Sequence, residues 1–584
     1  GYHHVYTKRL TLNSTPQQFA EKTIAPFKDL KIIDTPHVNL DYPFEKGKIN
    51  VLIALDNQLK TQPIQPNLKN EVLQNWNKIK QFVLQFEGKN FNSEIGTKCD
   101  LKEIKQKYLI VPYIQPNMEK QTTFAWAKFA LGGIHGAEIK NLNDFEETMA
   151  KGFDSNGKVR KNYRYTSVIK NCLHQDFTSY YPRLLKNLEV FKNPQTGTDI
   201  YAQLYLDRIK NKKLSKNKEL DSALREKYFE MQLAQKLIIN SASGGADAQF
   251  PTNIRCNNKA IAMRLIGQLF AWYIGQMLAI HGAKIVSTNT DGLYVTDISP
   301  ELNKHILKTE TEKLRLDIEP ERIDMFIAKD TNNRMEIVDG KITSVAGPSL
   351  KYYKGNFESQ NIDHPAIIDY ILVKYLSMNP LAVNKQFNRS LAQSMLQNFI
   401  NDVHLDTTIK LRYLQIPVVG NAANQNYLVL KDGSSKKILP EINRIFPVID
   451  SNQTICTTKL QKITEKTVIS RLKEQGFSMP MIKDKLNLGI PQEEILYHEP
   501  LAKQILVNKL GQKGFEDKFE KVVFKSELAD LKEIKLGKIK NLNDSQNVVV
   551  KNENLTDIEN ITLEKIDLNY YLSLLEKSFN TWKN

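Results

Sequence analysis

Three segments carry side chains that could do chemistry together. In CLHQDFTSYYPRLL (172–185) the pattern predicts a strand ending at Asp176, with Tyr181-Pro182 opening the turn into a helix. A carboxylate at a strand end is held in place by its sheet and is well set to hold a metal ion; the competing role is to cap the helix that follows. In QKLIINSASGGAD (235–247), Lys236 and Asn240 are four residues apart on one helix face, and Gly244-Gly245 ends the helix. Such a face can hold a phosphate and a sugar or base edge, or simply meet solvent. In STNTDGLYV (287–295), Asp291 lies in a tight turn, Asn289–Gly292, between two apolar β-runs. That turn either brings a carboxylate to a defined place on a sheet or is a solvated hairpin tip. Two sheet-borne carboxylates with basic residues opposite are the donor set for two-cation phosphoryl transfer, because Mg²⁺ prefers oxygen ligands and binds through one or two carboxylates plus substrate phosphates.

The elements that must position these residues follow from the hydrophobic spacing. Residues 199–239 read as long helix, interrupted near Leu214–Asn217, with Leu220, Leu224, Tyr228 and Met231 recurring at spacings of three and four. Residues 256–281 read as a helix apolar on most sides and therefore buried. Residues 284–298 form two β-runs, and 326–347 a strand pair turning at Asp339-Gly340. Beyond about 365 the chain reads as helical and Lys-rich, ending in the amphipathic LNYYLSLLEKSFNTW. Gly132-Gly133, before His135-Gly136, asks for a sharp turn or a close backbone approach.

Length and composition bound the answer. A chain of 584 residues, 41% hydrophobic, is long enough for several domains. Lys and Arg number 81 against 65 Asp and Glu, a net charge of +16, which suits a polyanionic partner as well as it suits plain solubility. The four cysteines, Cys99, Cys172, Cys256 and Cys456, make no CxxC pair, so neither a zinc ribbon nor an iron–sulfur site is supported, and reduced thiols are expected. No apolar run reaches the ~20 residues that cross a bilayer, and no signal peptide opens the chain. The chain begins Gly1-Tyr2-His3 without Met, which is compatible with a piece of a longer protein.

The order of the three segments resembles motifs A, B and C of family B DNA polymerases. DFTSYYP is similar to D-x-x-S-L-Y-P, KLIINSASGG to K-x-x-x-N-S-x-Y-G, and NTDG stands in the place of D-T-D-S. GGIHGA lies where the family has a Gly-Gly element, in a phage-like spelling, and the likeness extends through NIRCNNKAIAMRLIGQLF (253–270) to cover roughly 124–370. The resemblance implies an α+β right-hand fold with an antiparallel palm sheet, helical fingers and a mostly helical thumb. Its parts would be an N-terminal region (1–139), palm (140–198 and 251–365), fingers (199–250), and thumb with C-terminal region (366–584).

It further implies template-directed addition of dNTPs to a primer 3′ hydroxyl in phage DNA replication, in the cytoplasm of a bacterial host. Asp176, Asp291 and the Phe177 carbonyl would hold two Mg²⁺ ions, or Mn²⁺ in their place. Arg208, Lys212 and Lys236 would face the triphosphate with Asn240 beside them. Tyr181 matches the tyrosine that crowds a ribose 2′ hydroxyl. Gly132 and Gly133 would meet the DNA. The primer-gripping K-x-Y element has two candidates: Lys351-Tyr352-Tyr353, which matches literally with Lys351 and Tyr353, and Lys329 with Arg334, which matches by placement before a strand turn. Primer–template DNA and dNTPs are the implied partners, with an exonuclease module or other replication proteins encoded upstream and no membrane.

The chain departs from the family at Asn289, where motif C has Asp, and at Ser243, where motif B has Tyr. No editing motif is legible in 1–130; the acids there, among them Glu21, Asp34, Asp41, Glu45, Asp56, Glu71, Glu87, Glu94, Asp100, Glu103 and Glu119, show no D-x-E spacing. Asp144–Glu146 and Asp317–Glu319 spell D-x-E but follow the Gly-Gly element and read as decoys. Two rival readings are a palm-type RNA polymerase or reverse transcriptase, and a catalytically weakened polymerase fold that binds DNA or handles primers.

Overall fold

The computed structural model describes residues 41–45, 47–86, 104–193, 196–248, 254–355 and 364–418, then 424–430, 436–439, 443–449, 453–462, 469–470, 472–473, 476–487, 493–496, 548–551 and 563–584. Cys99 and the acids Glu21, Asp34, Glu87, Glu94, Asp100 and Glu103 lie outside the described residues. The chain is α+β with antiparallel sheets and divides into two units, residues 1–346 with Asn584, and 347–583.

The first unit is organised around a six-stranded antiparallel sheet. Its strands are β6 (Ser167–Phe177), β7 (Lys284–Asn289), β8 (Gly292–Thr296), β9 (Ile318–Ala328), β10 (Arg334–Val338) and β11 (Lys341–Ala346), in the order β11-β10-β9-β6-β8-β7. Before it come the short pair β1 (Asp41–Glu45) and β2 (Gly47–Asn50), the helices α1 (Val51–Thr61) and α2 (Pro66–Leu84), and a three-stranded sheet of β3 (Tyr108–Pro112), β4 (Thr123–Ala130) and β5 (Glu138–Lys140). The helices α3 (Phe145–Lys151) and α4 (Tyr180–Asn187) flank β6 in the chain. Between β6 and β7 run α5 (Ile200–Lys216), α6 (Ser222–Ala246) and α7 (Asn257–Ile280), and α8 (Pro300–Leu314) joins β8 to β9.

Alternation along β6 assigns the two faces of the large sheet. Leu173 and Phe177 point into the main core together with Leu293 and Val295 of β8. That face is covered by α7, a helix apolar on most sides, from which even Asn258 and Gln276 are buried. Asp176 and His174 therefore project from the opposite face, since successive side chains alternate. The two glutamines of α7 are satisfied by backbone: Gln276 accepts from Ile114 N (3.1 Å) and donates to Ile114 O (2.7 Å), and Gln268 does the same at Ala130 (3.0 and 2.7 Å). These bonds anchor the small sheet, and so the Gly132-Gly133 loop that leaves β4, to the helix beneath the large sheet.

Helix α5 ends at Lys216, close to the expected interruption, and Asp221 caps α6 by accepting from Ala223 N and Leu224 N. The short connection makes the two helices an antiparallel pair.

The second unit differs from the helical expectation. Helices α9 (Ala366–Met378), α10 (Arg389–Asn401) and α11 (Thr407–Leu414) are followed by strands β12 (Ile416–Val418), β13 (Asn424–Leu430), β14 (Lys436–Leu439), β15 (Asn443–Pro447) and β16 (Gln453–Lys462). A short helix, α12 (Met479–Asn487), and strands β17 (Glu493–Leu496) and β18 (Val548–Lys551) come next. Their Val, Ile and Thr residues favour a pleated surface, a preference that the Lys density of the segment obscured. The last helix, α13 (Leu568–Asn580), is amphipathic as expected and buries Tyr571, Leu572, Leu575 and Phe579 at spacings of one, three and four.

Candidate active site

The two carboxylates are brought side by side by strand pairing. In the β6–β8 ladder Asp176 stands opposite Gly292, the residue after Asp291, and Phe177 N donates to Asp291 O at 2.9 Å. Asp176 is not a helix cap, because the N-cap of α4 is Ser179, three residues on. Asp291 occupies a two-residue connection, Thr290-Asp291, between paired Asn289 and Gly292. Asn289 folds its side chain onto its own turn, its Oδ1 accepting from Thr290 N at 2.9 Å.

The Asp-Gly spelling here is not a left-handed hairpin tip. The residues with positive φ include Asp339 (49°) and Gly340 (70°), at the tip between β10 and β11, but neither Thr290, Asp291 nor Gly292. Gly292 answers to crowding instead: a Cβ there would lie 2.8 Å from His174 Nε2 and 3.3 Å from Gln175 O.

A cleft of about 540 Å³ opens over this sheet edge. It is lined by Asp176, Phe177, Tyr181 and Asp291 on the sheet side, and by Arg208, Lys212, Lys236, Asn240 and Ser243 from the α5–α6 pair. Asn211 Nδ2 donates to Gln235 Oε1 at 3.0 Å and sets the register of that pair. Arg208 is buried, donates to Ser179 Oγ at 2.8 Å, and keeps a buried Nε with no hydrogen-bond partner. Burial lowers its pKa, so the site has drawn a cation into a poorly solvated place.

The carboxyl of Asp176 is pushed up to about 6, first by burial and then by the neighbouring Asp291, Glu321 and Glu319, with Lys212 opposing. Among the described residues no three His, Cys, Asp or Glu side chains converge as a ready-made metal cage. Two adjacent acids whose charges repel, open to a basic cleft, nevertheless fit a Mg²⁺ ion, which completes its shell with waters and substrate phosphates rather than with a protein cage.

Tyr181 and the Gly-Gly loop meet at the rim. The Tyr181 hydroxyl donates to Gly132 O at 3.5 Å, and burial raises its pKa to about 12. Gly133 has φ +150°, and a Cβ on it would lie 2.9 Å from Thr290 Oγ1 and 3.2 Å from Tyr181 Oη, whereas nothing lies within 4 Å of one on Gly132. Backbone bonds from Gly136 N to Thr288 O (2.8 Å) and from Thr288 N to Gly136 O (2.9 Å) clamp the loop to β7.

No protein-family model matches the chain, and no curated protein matches it. Among solved structures it is similar to the family B DNA polymerase from the hyperthermophilic archaeon Pyrobaculum calidifontis, at 14% identity and a TM-score of 0.31. The likeness covers 49% of this chain and 41% of that one, so it spans less than half of that polymerase. A likeness at this level carries no weight for fold or activity.

Of the residues singled out from sequence, Asp176, Phe177, Tyr181, Arg208, Lys212, Lys236, Asn240 and Asp291 line one cleft. Arg334 lies elsewhere on the sheet, in a second cavity of about 490 Å³ with His174, Tyr294, Glu321 and Glu336. There His174 stacks on Tyr294 (4.2 Å between ring centres, 1° apart) and Tyr294 on Phe326 (4.1 Å). The Tyr294 hydroxyl donates to Glu336 (2.6 Å) and accepts from Arg334 Nε (2.9 Å). Burial and the Arg334 charge hold His174 down at about 4, so the stacked ring is neutral. Lys329 is half-buried beyond β9, its Nζ 4.0 Å from Asp330. Lys351 and Tyr353 belong to the second unit, where Lys351 stands 4.6 Å over the Tyr352 ring and Tyr353 stacks on Tyr370.

Sequence reasoning missed Glu319, set aside as half of a decoy D-x-E. It lines the cleft because β9 pairs Glu319 with Asp176, while Asp317 ion-pairs with Arg183. The alternation of Glu319 and Glu321 along a strand was the available signal. Asp144 of the other D-x-E caps α3, accepting from Glu147 N at 2.8 Å. Ser179 and Thr290, also in the cleft, are small hydroxyl residues that carried no signal of their own.

Proposed function

We propose that this chain is a template-directed DNA polymerase that joins dNTPs to a primer 3′ hydroxyl, as family B enzymes of phages do. In this reading the six-stranded sheet is the palm, the α5–α6 pair the fingers, and the C-terminal part the thumb, with the domain limits expected from sequence. One observation carries it: a single cleft sets Asp176 and Asp291 opposite Arg208, Lys212 and Lys236, with Asn240 and Tyr181 at its walls. The same arrangement argues against a decayed fold that merely binds DNA, since such a fold has no need to keep two mutually repelling acids facing buried positive charge.

The side chains suggest how the reaction is served. Two Mg²⁺ ions, held through Asp176, Asp291 and the Phe177 carbonyl, would neutralise charge on the attacking and leaving oxygens. Arg208, Lys212 and Lys236, which line the cleft, would hold the triphosphate by charge-assisted hydrogen bonds. The primer 3′ oxygen attacks the α-phosphorus and pyrophosphate departs toward those cations. Glu319 adds negative charge beside Asp176 and so helps to draw cations to the site. By the family resemblance the ring of Tyr181, whose hydroxyl bonds the Gly132 carbonyl, would crowd a ribose 2′ hydroxyl. Ser243, in place of a tyrosine, leaves the nascent pair less closely covered.

The test is primer extension by purified chain with Mg²⁺ and either dNTPs or rNTPs. Extension with dNTPs only is expected. Extension with rNTPs alone would favour an RNA polymerase, and no extension with intact DNA binding would favour the primer-handling reading.

A further inference from the structure

Helix α6 continues past the cleft as an apolar stripe that stays exposed among the described residues. Phe229, Leu233 and Leu237 are 51%, 40% and 56% exposed. At 100° per residue all three lie within about 60° of Asn240 around the helix axis, and so does Lys236. The face that lines the cleft with Lys236, Asn240 and Ser243 is thus the face that carries the stripe outward. From Asn240 to Phe229 the stripe runs about 16 Å, at 1.5 Å per residue.

Positive charge borders it. Arg225 of α6, one turn before Phe229, and Lys236, one turn before Asn240, both lie within about 60° of Asn240 around the axis and so stand beside the apolar residues. Lys210, Lys213 and Lys216 are exposed on the neighbouring α5 and add to the charge of the pair. On α6 itself, Arg225 and Lys227 offset Glu226 and Glu230, so the net sign along the pair is positive.

We propose that this stripe is the path of the unpaired template strand, whose bases stack on Phe229 and pack against Leu233 and Leu237 before reaching the cleft. The proposal rests on the polymerase reading above. A duplex presents phosphates to its surroundings and gains nothing from exposed leucines. An unpaired strand presents base faces as well, and apolar or aromatic side chains beside lysines suit both of its parts. At about 3.4 Å per stacked base the stripe accommodates about five nucleotides.

The test compares the full chain with a Phe229→Ser, Leu233→Ser, Leu237→Ser variant. All three positions are exposed, so unchanged thermal melting is expected. Binding is measured by anisotropy on a dideoxy-terminated primer–template with a five-nucleotide 5′ template overhang, and on the blunt duplex. The wild type should prefer the overhang, and the variant should lose that preference by about tenfold while holding the blunt duplex equally well. 2-Aminopurine at the third unpaired template position should change its fluorescence on binding wild type and much less on binding the variant. A wild type that extends primers but shows the same overhang preference as the variant overturns this inference alone. A wild type that neither binds nor extends overturns it together with the polymerase reading. Wild-type self-association that the variant abolishes, with overhang binding unchanged, would make the stripe a contact between copies and overturn the proposal.

Discussion

Asp176→Asn should abolish primer extension and yet make the protein more stable at pH 7 in the absence of divalent ions. The Asp176 carboxyl is raised from the ordinary 3.8 to about 6 by burial and by Asp291, Glu321 and Glu319. The sign follows from linkage: between these values the folded state holds a proton that the unfolded state has lost, so stability falls as pH rises from about 4 to about 6 and stays lower above. Each tenfold in that equilibrium is worth about 1.4 kcal/mol, which bounds the penalty near 3 kcal/mol. Asp176 is only half-buried, and solvent screening brings the expected gain down to about 1 kcal/mol. For a unit of this size that is a rise of about 2 °C in melting temperature. Calorimetry with EDTA at pH 7 and at pH 4 measures it: the variant should melt higher at pH 7, and the gap should shrink at pH 4. Mg²⁺ should then stabilise wild type more than the variant, because only the wild type has both acids to offer it. A variant that melts lower at pH 7, or a gap independent of pH, would refute the account of two repelling acids.

Asp291→Asn should likewise stop extension while DNA affinity stays within about threefold, since affinity comes chiefly from Lys and Arg contacts to phosphates. Asn289→Ala, which loses only a bond to the Thr290 amide, should keep most activity; filter binding and extension rates check both. Arg208→Ala should raise the KM for dNTP by about 10- to 100-fold, the worth of one charge-assisted hydrogen bond, and Arg208→Lys should restore little, because one ammonium cannot keep the Ser179 bond and reach a phosphate as well. An unchanged KM in steady-state kinetics would remove Arg208 from the nucleotide site. Gly133→Ala should cost about 1–3 kcal/mol of stability through its positive φ and shift the ratio of dNTP to rNTP incorporation by displacing Tyr181, whereas Gly132→Ala, with open space at its Cβ, should do neither. Equal behaviour of the two variants in melting and incorporation assays would refute that distinction.

The sequence by itself determined many of the local elements and named most of the side chains that meet in the cleft. Apolar spacing marked α7 as a buried helix, breaks in it separated α5 from α6, and Asp339-Gly340 named its own hairpin, whose two residues do adopt positive φ. It also singled out Asp176, Asp291, Lys236 and Asn240 through the order of three segments, and Arg208 and Lys212 through the family resemblance that this order carries; each spacing alone has other uses. What it could not decide was anything set by contact between distant residues. The same Asp-Gly spelling at 291–292 serves a different end: Gly292 is demanded by His174 across the ladder, not by the turn. Glu319 became part of the cleft only when β9 paired with β6, and no spacing along the chain records which strand will lie beside which. That Arg208 is buried against Ser179 while Lys210 and Lys213 are exposed was decided only by the packing of α5. The strands of 416–462 were hidden behind a Lys-rich composition, because strand propensity is realised only when a partner strand is present to pair with. Residue types and periods are properties of the chain; register, burial and the field at a carboxylate belong to the fold, since each is a sum over neighbours that only tertiary structure supplies.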